Sequence, residues 1–143
     1  MNIFLLGAFI ISLFYRVYGL WNKHPFWVDE FSSSQQALLI LNYGLKVFTD
    51  RSLIFDAHNI TTHFLIALSF KLFGVNEFSA RLPIAVIGSL VPVVLFVVAY
   101  KIFGKSTAVS TLILAVFSYF EITWSRQARS YVILQVLILA TIF

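Results

Sequence analysis

The sequence has no cysteine, only three prolines, and charge on just 11% of its 143 residues. The missing thiols exclude disulfides and thiolate metal centres. So little charge leaves too little polar surface to cover the core of a water-soluble domain when 60% of the residues are hydrophobic. The ten basic residues are scattered singly, so the net charge of +4 makes no phosphate-tracking stripe and nucleic acid is excluded as a partner. A glycine-rich strand-to-helix fingerprint for a nucleotide is also missing. What the chain has instead is apolar mass, with 16 phenylalanines and a mean hydropathy of +0.92. These features predict an all-α fold, an integral membrane helical bundle.

From Ile3 to Leu20 the chain is apolar except for Ser12 and Arg16, long enough to cross a hydrocarbon core. No basic residue precedes this run and no small-residue cleavage site follows it, so it reads as a retained span and not as a signal peptide. From Trp21 to about Ser79 charges recur every few residues. Within that stretch Ser32 and Ser33 each precede a glutamine by three, which predicts a capped helix start there. A second helix is expected from about Thr61 to Phe73, with Ile60, Phe64, Leu68 and Leu72 at i+4 intervals. Its uninterrupted apolar part is too short to span, which places it along the membrane surface.

Pro83 is expected to open the next span, and Pro92 to kink it. Lys101, Gly104 and Lys105 form a polar turn before a span ending near Trp124. The segment "SRQARSY", 125–131, follows, and a last apolar run stops at Phe143 without a cap. The whole is read as one membrane module, 1–143, with spans at 3–20, 83–103 and 107–124. The stretch 21–80 is a loop with juxtamembrane helices, and a further span starts at 131–143. The unfinished last helix suggests a fragment of a longer protein. With the 61–73 helix not crossing, the loop holding Asp29 and the loop holding Arg129 share one side. The positive-inside signal is divided, because Lys101 and Lys105 oppose Arg16 and Lys23.

"WVDEF", 27–31, raises the sharpest question, since it sets two carboxylates in an apolar neighbourhood. Asp29 and Glu30 fit solvated acids at a helix N-terminus, favoured by its dipole. Arg126 and Arg129, three apart at a membrane boundary, fit snorkelling anchors. His58 and His63 lack a convincing third metal ligand, although a divalent metal stays open. Glu121, near the end of a span, calls for a partner such as Arg81 or Arg126. Asn59-Ile60-Thr61 is a glycosylation sequon that matters only in a eukaryotic secretory pathway.

Taken together, a first span, the "WVDE" loop, "LFGVNEFSARLP", the turn "YKIFGKS" and "SRQARSY" resemble, in order and spacing, the N-terminal portion of a superfamily of polytopic membrane glycosyltransferases. These are enzymes of the dolichyl-phosphate-mannose protein mannosyltransferase and lipid-A aminoarabinose transferase type. The resemblance implies an inverting enzyme that takes a sugar from a polyprenyl-phosphate carrier on the extracytoplasmic face, with no cofactor, within a cell envelope and so in the plasma membrane. Membrane lipid is then a partner, and the acceptor is unspecified. It further implies that both loops are external and that the "GKS" turn is cytoplasmic. Asp29 matches the essential acid of the first external loop, with Glu30 as its neighbour, and both are carried as catalytic candidates. Arg129 matches the arginine near the lipid phosphate, and Arg126 and His58 join it as substrate-binding candidates. The chain departs from many relatives at Asn59 and Ile60, where those have a Pro-Pro pair, and at Gln135, where some carry an acid.

In such chemistry a carboxylate removes the proton of the acceptor hydroxyl, which assigns Asp29 as base. The leaving phosphate gains charge and wants a guanidinium fork, which assigns Arg129. The fragment by itself is expected to be inactive. A non-catalytic membrane subunit of the same architecture is the rival reading. A transporter is disfavoured, because no span clearly carries an acid near its middle.

Overall fold

The computed structural model describes residues 2–22 and 25–142, so Lys23 and Phe143 lie outside the described residues. Among these there are only helices: α1 (Asn2–Val17), α2 (Val28–Tyr43), α3 (Ile60–Phe73), α4 (Glu77–Gly88), α5 (Val91–Phe103), α6 (Lys105–Phe117), α7 (Tyr119–Ser125) and α8 (Tyr131–Ala140). Short 3-10 turns at Leu20–Asn22 and Gly44–Phe48 extend α1 and α2. The result is an integral membrane helical bundle carrying a smaller helical layer, as composition predicted.

Two helices are long and apolar enough to cross a membrane, Ile3–Asn22 and Glu77–Phe103. The pair α6 and α7, bent by 56° at Ser118, makes a third if counted as one span. The 27 residues of Glu77–Phe103 make a helix of about 40 Å, roughly 10 Å more than a hydrocarbon core. The first turns of α4 carry Glu77 and Arg81 and meet α2 and α3. Gly104, at φ +85°, turns α5 back along α6 as an antiparallel pair.

Two helix starts differ from expectation. Helix α2 begins at Val28, before Ser32 and Ser33, because the Glu30 carboxylate reaches back to accept the Trp27 N–H at 3.3 Å. Ser33 and Ser34 then lie inside the helix and are buried, and Ser34 Oγ donates to the Glu30 carbonyl. Helix α4 begins six residues before Pro83, because Asn76 and Ser79 cap each other: the Asn76 side chain accepts from the Ser79 N–H at 2.9 Å, and Ser79 Oγ accepts from the Asn76 N–H at 3.2 Å. A reciprocal cap outweighs the single N–H lost at proline. Around Pro92 the helix does interrupt, with a turn at Ser89–Leu90 and Pro92 in the first turn of α5, since its ring crowds the carbonyl four residues back.

Helix α3 packs on α2 and α4 through Ile66, Ala67 and Phe70, which join Ala37, Ile40, Ala80 and Ala128 in one core. Its i+4 row points the other way: Phe64, Leu68 and Leu72 are exposed, as suits a helix lying against lipid. Lower in the bundle Gly88 lets α4 approach α7, for a Cβ there would collide with the Cβ of Ser125. Gly88→Ala is therefore expected to cost about 1–3 kcal/mol, read as a lower unfolding temperature in detergent. Adding Ser125→Gly should recover most of the loss; a Gly88→Ala protein as stable as the parent would remove the close-packing argument.

Candidate active site

Asp29 and Glu30 are neighbours in the first turn of α2, but the helix turns them to opposite surroundings. Glu30 is fully buried, and its two oxygens accept four donors. Arg81 gives Nε to Oε1 at 2.9 Å and Nη2 to Oε2 at 3.0 Å, the Ala128 N–H reaches Oε1 at 3.0 Å, and the Trp27 N–H reaches Oε2. Burial pushes the Glu30 carboxyl up, but the Arg81 hydrogen bonds, the Ala128 N–H, the Arg81 charge and the Trp27 N–H together hold it below its ordinary value. Arg81 also contacts Glu77 at 3.4 Å and lies over the Phe26 ring. This clamp joins the start of α2, the top of α4 and the segment after α7.

Its position has a consequence for chemistry. Asp29 precedes Glu30 and Arg129 follows Ala128, so the hydrogen bond between Glu30 and Ala128 fixes the spacing of the two outward side chains. Asp29 Oδ2 lies 3.3 Å from Arg129 Nη2, with the aspartate 65% exposed and the arginine 22%. Arg129 is braced by Tyr131, whose hydroxyl accepts from Nη2 at 3.0 Å and whose ring lies 5.2 Å from the guanidinium carbon. The pair borders a cavity of about 330 Å³ walled also by Trp27, Trp124, Gln127 and Tyr131. A fixed cation, a carboxylate open to solvent and aromatic walls suit an anionic, partly apolar ligand.

The other candidates lie elsewhere. Arg126 Nη2 donates to the Tyr18 carbonyl at 2.9 Å, closing the end of the first span, and burial together with the Arg81 charge holds its guanidinium below the ordinary value. His58 is on the exposed loop before α3, its Nδ1 2.6 Å from Asp56, and it does not line the cavity. His63 is buried against Phe55, and burial, opposed by Asp56, holds its imidazole below the ordinary value. Among the described residues no group of three or more His, Asp or Glu side chains gathers where it could hold a metal.

The partner suggested for Glu121 is corrected. Arg81 is committed to Glu30 and Glu77, whereas Glu121 accepts from the Gln135 amide at 2.9 Å. Sequence reasoning named Arg81 only as a partner for Glu121 and missed its pairing with Glu30, and it missed the wall residues Trp124 and Tyr131, whose T-shaped ring contact at 5.2 Å forms only once α7 folds back on α8.

A family model described as dolichyl-phosphate-mannose-protein mannosyltransferase matches residues 57–143, more than half of the chain. The chain belongs to this mannosyltransferase family. No curated protein and no solved structure matches it. The matched stretch contains Arg81, Arg126 and Arg129, and it ends upstream at residue 57, so Asp29 and Glu30 lie before it. They contact the matched stretch in space, through Arg81, Ala128 and Arg129. At family level the protein is a membrane glycosyltransferase.

Proposed function

We propose that this chain forms the N-terminal part of the active site of an inverting glycosyltransferase that moves a sugar from a polyprenyl-phosphate carrier to an acceptor hydroxyl on the extracytoplasmic face. The observation that carries this reading is the meeting of Asp29, in the first turn of α2, and Arg129, in the segment after α7, at one cavity, although they lie about a hundred residues apart in sequence. A second cavity, of about 420 Å³, adjoins the first across Trp124 and Tyr131 and is walled also by Phe120, Val132, Glu121 and Gln135. A donor with a charged head and an isoprenoid tail fits that juxtaposition.

In the reaction, Asp29 takes the proton of the acceptor hydroxyl as its oxygen attacks the anomeric carbon. The bond from that carbon to the phosphate oxygen breaks, the configuration inverts, and the lipid phosphate departs with one more negative charge. Arg129, held by Tyr131, stabilises that charge. Without donor, Arg129 occupies Asp29. An arriving phosphodiester competes for the guanidinium and releases the carboxylate, so donor binding precedes productive acceptor binding. Glu30, with every lone-pair direction engaged, positions Asp29 and does not itself exchange protons. Arg126 ties the loop to the first span.

The reading is tested by vesicles holding the full-length protein and a radiolabelled polyprenyl-phosphate sugar. Label should pass to an acceptor added on the side where Asp29 is exposed; no transfer with any polyprenyl-phosphate sugar would favour a non-catalytic subunit. The sidedness has its own test. Single cysteines at Ser32, Ser106 and Ser130 in sealed membranes are free of native thiols. The probes at 32 and 130 are expected to react with an impermeant maleimide from outside, and that at 106 only after permeabilisation. Reaction of 32 and 130 from opposite sides would sink the shared site.

A further inference from the structure

Arg16 is the only charged residue within α1, and it is fully buried. Its Nη1 donates to Ser12 Oγ at 2.7 Å and to the Ser12 carbonyl at 3.3 Å, within its own helix. Its Nη2 crosses to α6 and donates to the Ala115 carbonyl at 3.5 Å. Ala115 is three residues before the bend, among the last four carbonyls of α6, which have no helical donor beyond the break. At the bend Ser118 ends α6 with φ −61° and ψ 116°, and its Oγ accepts the Glu121 N–H to start α7. The Glu121 carboxylate, in the first turn of α7, accepts from the Gln135 amide and so ties α7 to α8. Helix α1 packs on both arms of the bend, Arg16 holding the end of α6 and Tyr15 packing edge-on against Phe117 at 5.6 Å beside it.

The geometry points to Arg16 as a positioning residue that holds the 56° bend between α6 and α7, and through it aims Trp124 and the Arg129 loop at Asp29. A buried cation inside a span is costly to keep, and here it supplies what a broken helix lacks: a donor for a carbonyl stranded at the end of α6. A straight helix would satisfy its own carbonyls and would carry Trp124 away from Tyr131 and the cavity. The positioning role rests on the glycosyltransferase reading, but the bend itself does not.

The test therefore reads the bend directly. Spin labels at Ser106→Cys and Gln127→Cys report the distance across both arms in the full-length protein. Opening a 56° bend between arms of about 18 and 10 Å lengthens that distance by about 3 Å. Arg16→Leu removes both donors and the charge; Arg16→Gln keeps one donor and is the variant expected to fold if Leu does not. Both are expected to shift or broaden the distance distribution toward longer values, and Arg16→Lys to restore part of the native population. A native distribution in Arg16→Gln or Arg16→Leu overturns the inference. In unlabelled enzyme with active transfer, Arg16→Gln should lower kcat about 100-fold and raise donor KM as well, because the displaced loop carries Arg129. No sugar transfer by either wild type or variant would count against the glycosyltransferase reading and leave the bend result standing.

Discussion

Asp29→Asn in the full-length protein is expected to lower kcat for sugar transfer by roughly 1,000-fold, with donor KM changed less than threefold. Asparagine keeps the size and one oxygen for Arg129 but cannot accept a proton, so the substitution separates basicity from geometry. Arg129→Ala should act differently. It removes the cation that meets the phosphate in both ground and transition states, so donor KM rises as kcat falls, and Arg129→Lys restores charge without the two-pronged fork. An Asp29→Asn enzyme within tenfold of wild type would remove Asp29 as the base and with it the proposed division of labour.

The division between Asp29 and Glu30 was only half legible in the sequence. Adjacent acids at a helix start look alike as letters, and both fit the dipole argument. The structure distinguishes them by a rotation of about 100° per residue, which sends Glu30 toward α4 and Asp29 toward solvent. Which acid turns inward depends on where α2 begins, and that depends on Glu30 capping Trp27, a start that the Ser-x-x-Gln spacing four residues later obscured. Long apolar runs, by contrast, made the spans and the all-helical class readable, because no other hydrogen-bonding solution survives in lipid except a closed barrel. The bend at Ser118 could not be read, since neither proline nor glycine marks it; one of the carbonyls it strands, that of Ala115, is met by a side chain on another helix, about a hundred residues away. The pairing of Asp29 with Arg129 was reachable through loop sidedness, whereas the clamp through Arg81 needed the register of α4, which the cap at Asn76 shifts by six residues from the proline.

Arg81→Met is expected to be the most destabilising single change in the protein. It leaves the Glu30 carboxylate buried with two N–H donors and no cation, and breaking such a pair costs about 3–5 kcal/mol, seen as a much lower unfolding temperature in detergent at pH 7. The pH dependence separates this cause from lost packing. In the parent protein the folded-state pKa of Glu30 lies below its unfolded value, so its contribution is complete above the unfolded carboxylate range, near pH 4.3 (roughly), and is lost as pH falls through the folded value. Removing Arg81 takes away two of the influences that lower this pKa, so the loss of stability on acidification attributable to Glu30 should shrink in Arg81→Met. Glu30→Leu combined with Arg81→Met buries no charge, and should recover much of the lost stability while leaving transfer impaired, because Ala128 and hence Arg129 are no longer tied to α2. Full activity in that stable double variant would show that the clamp holds the fold without setting the distance between Asp29 and Arg129.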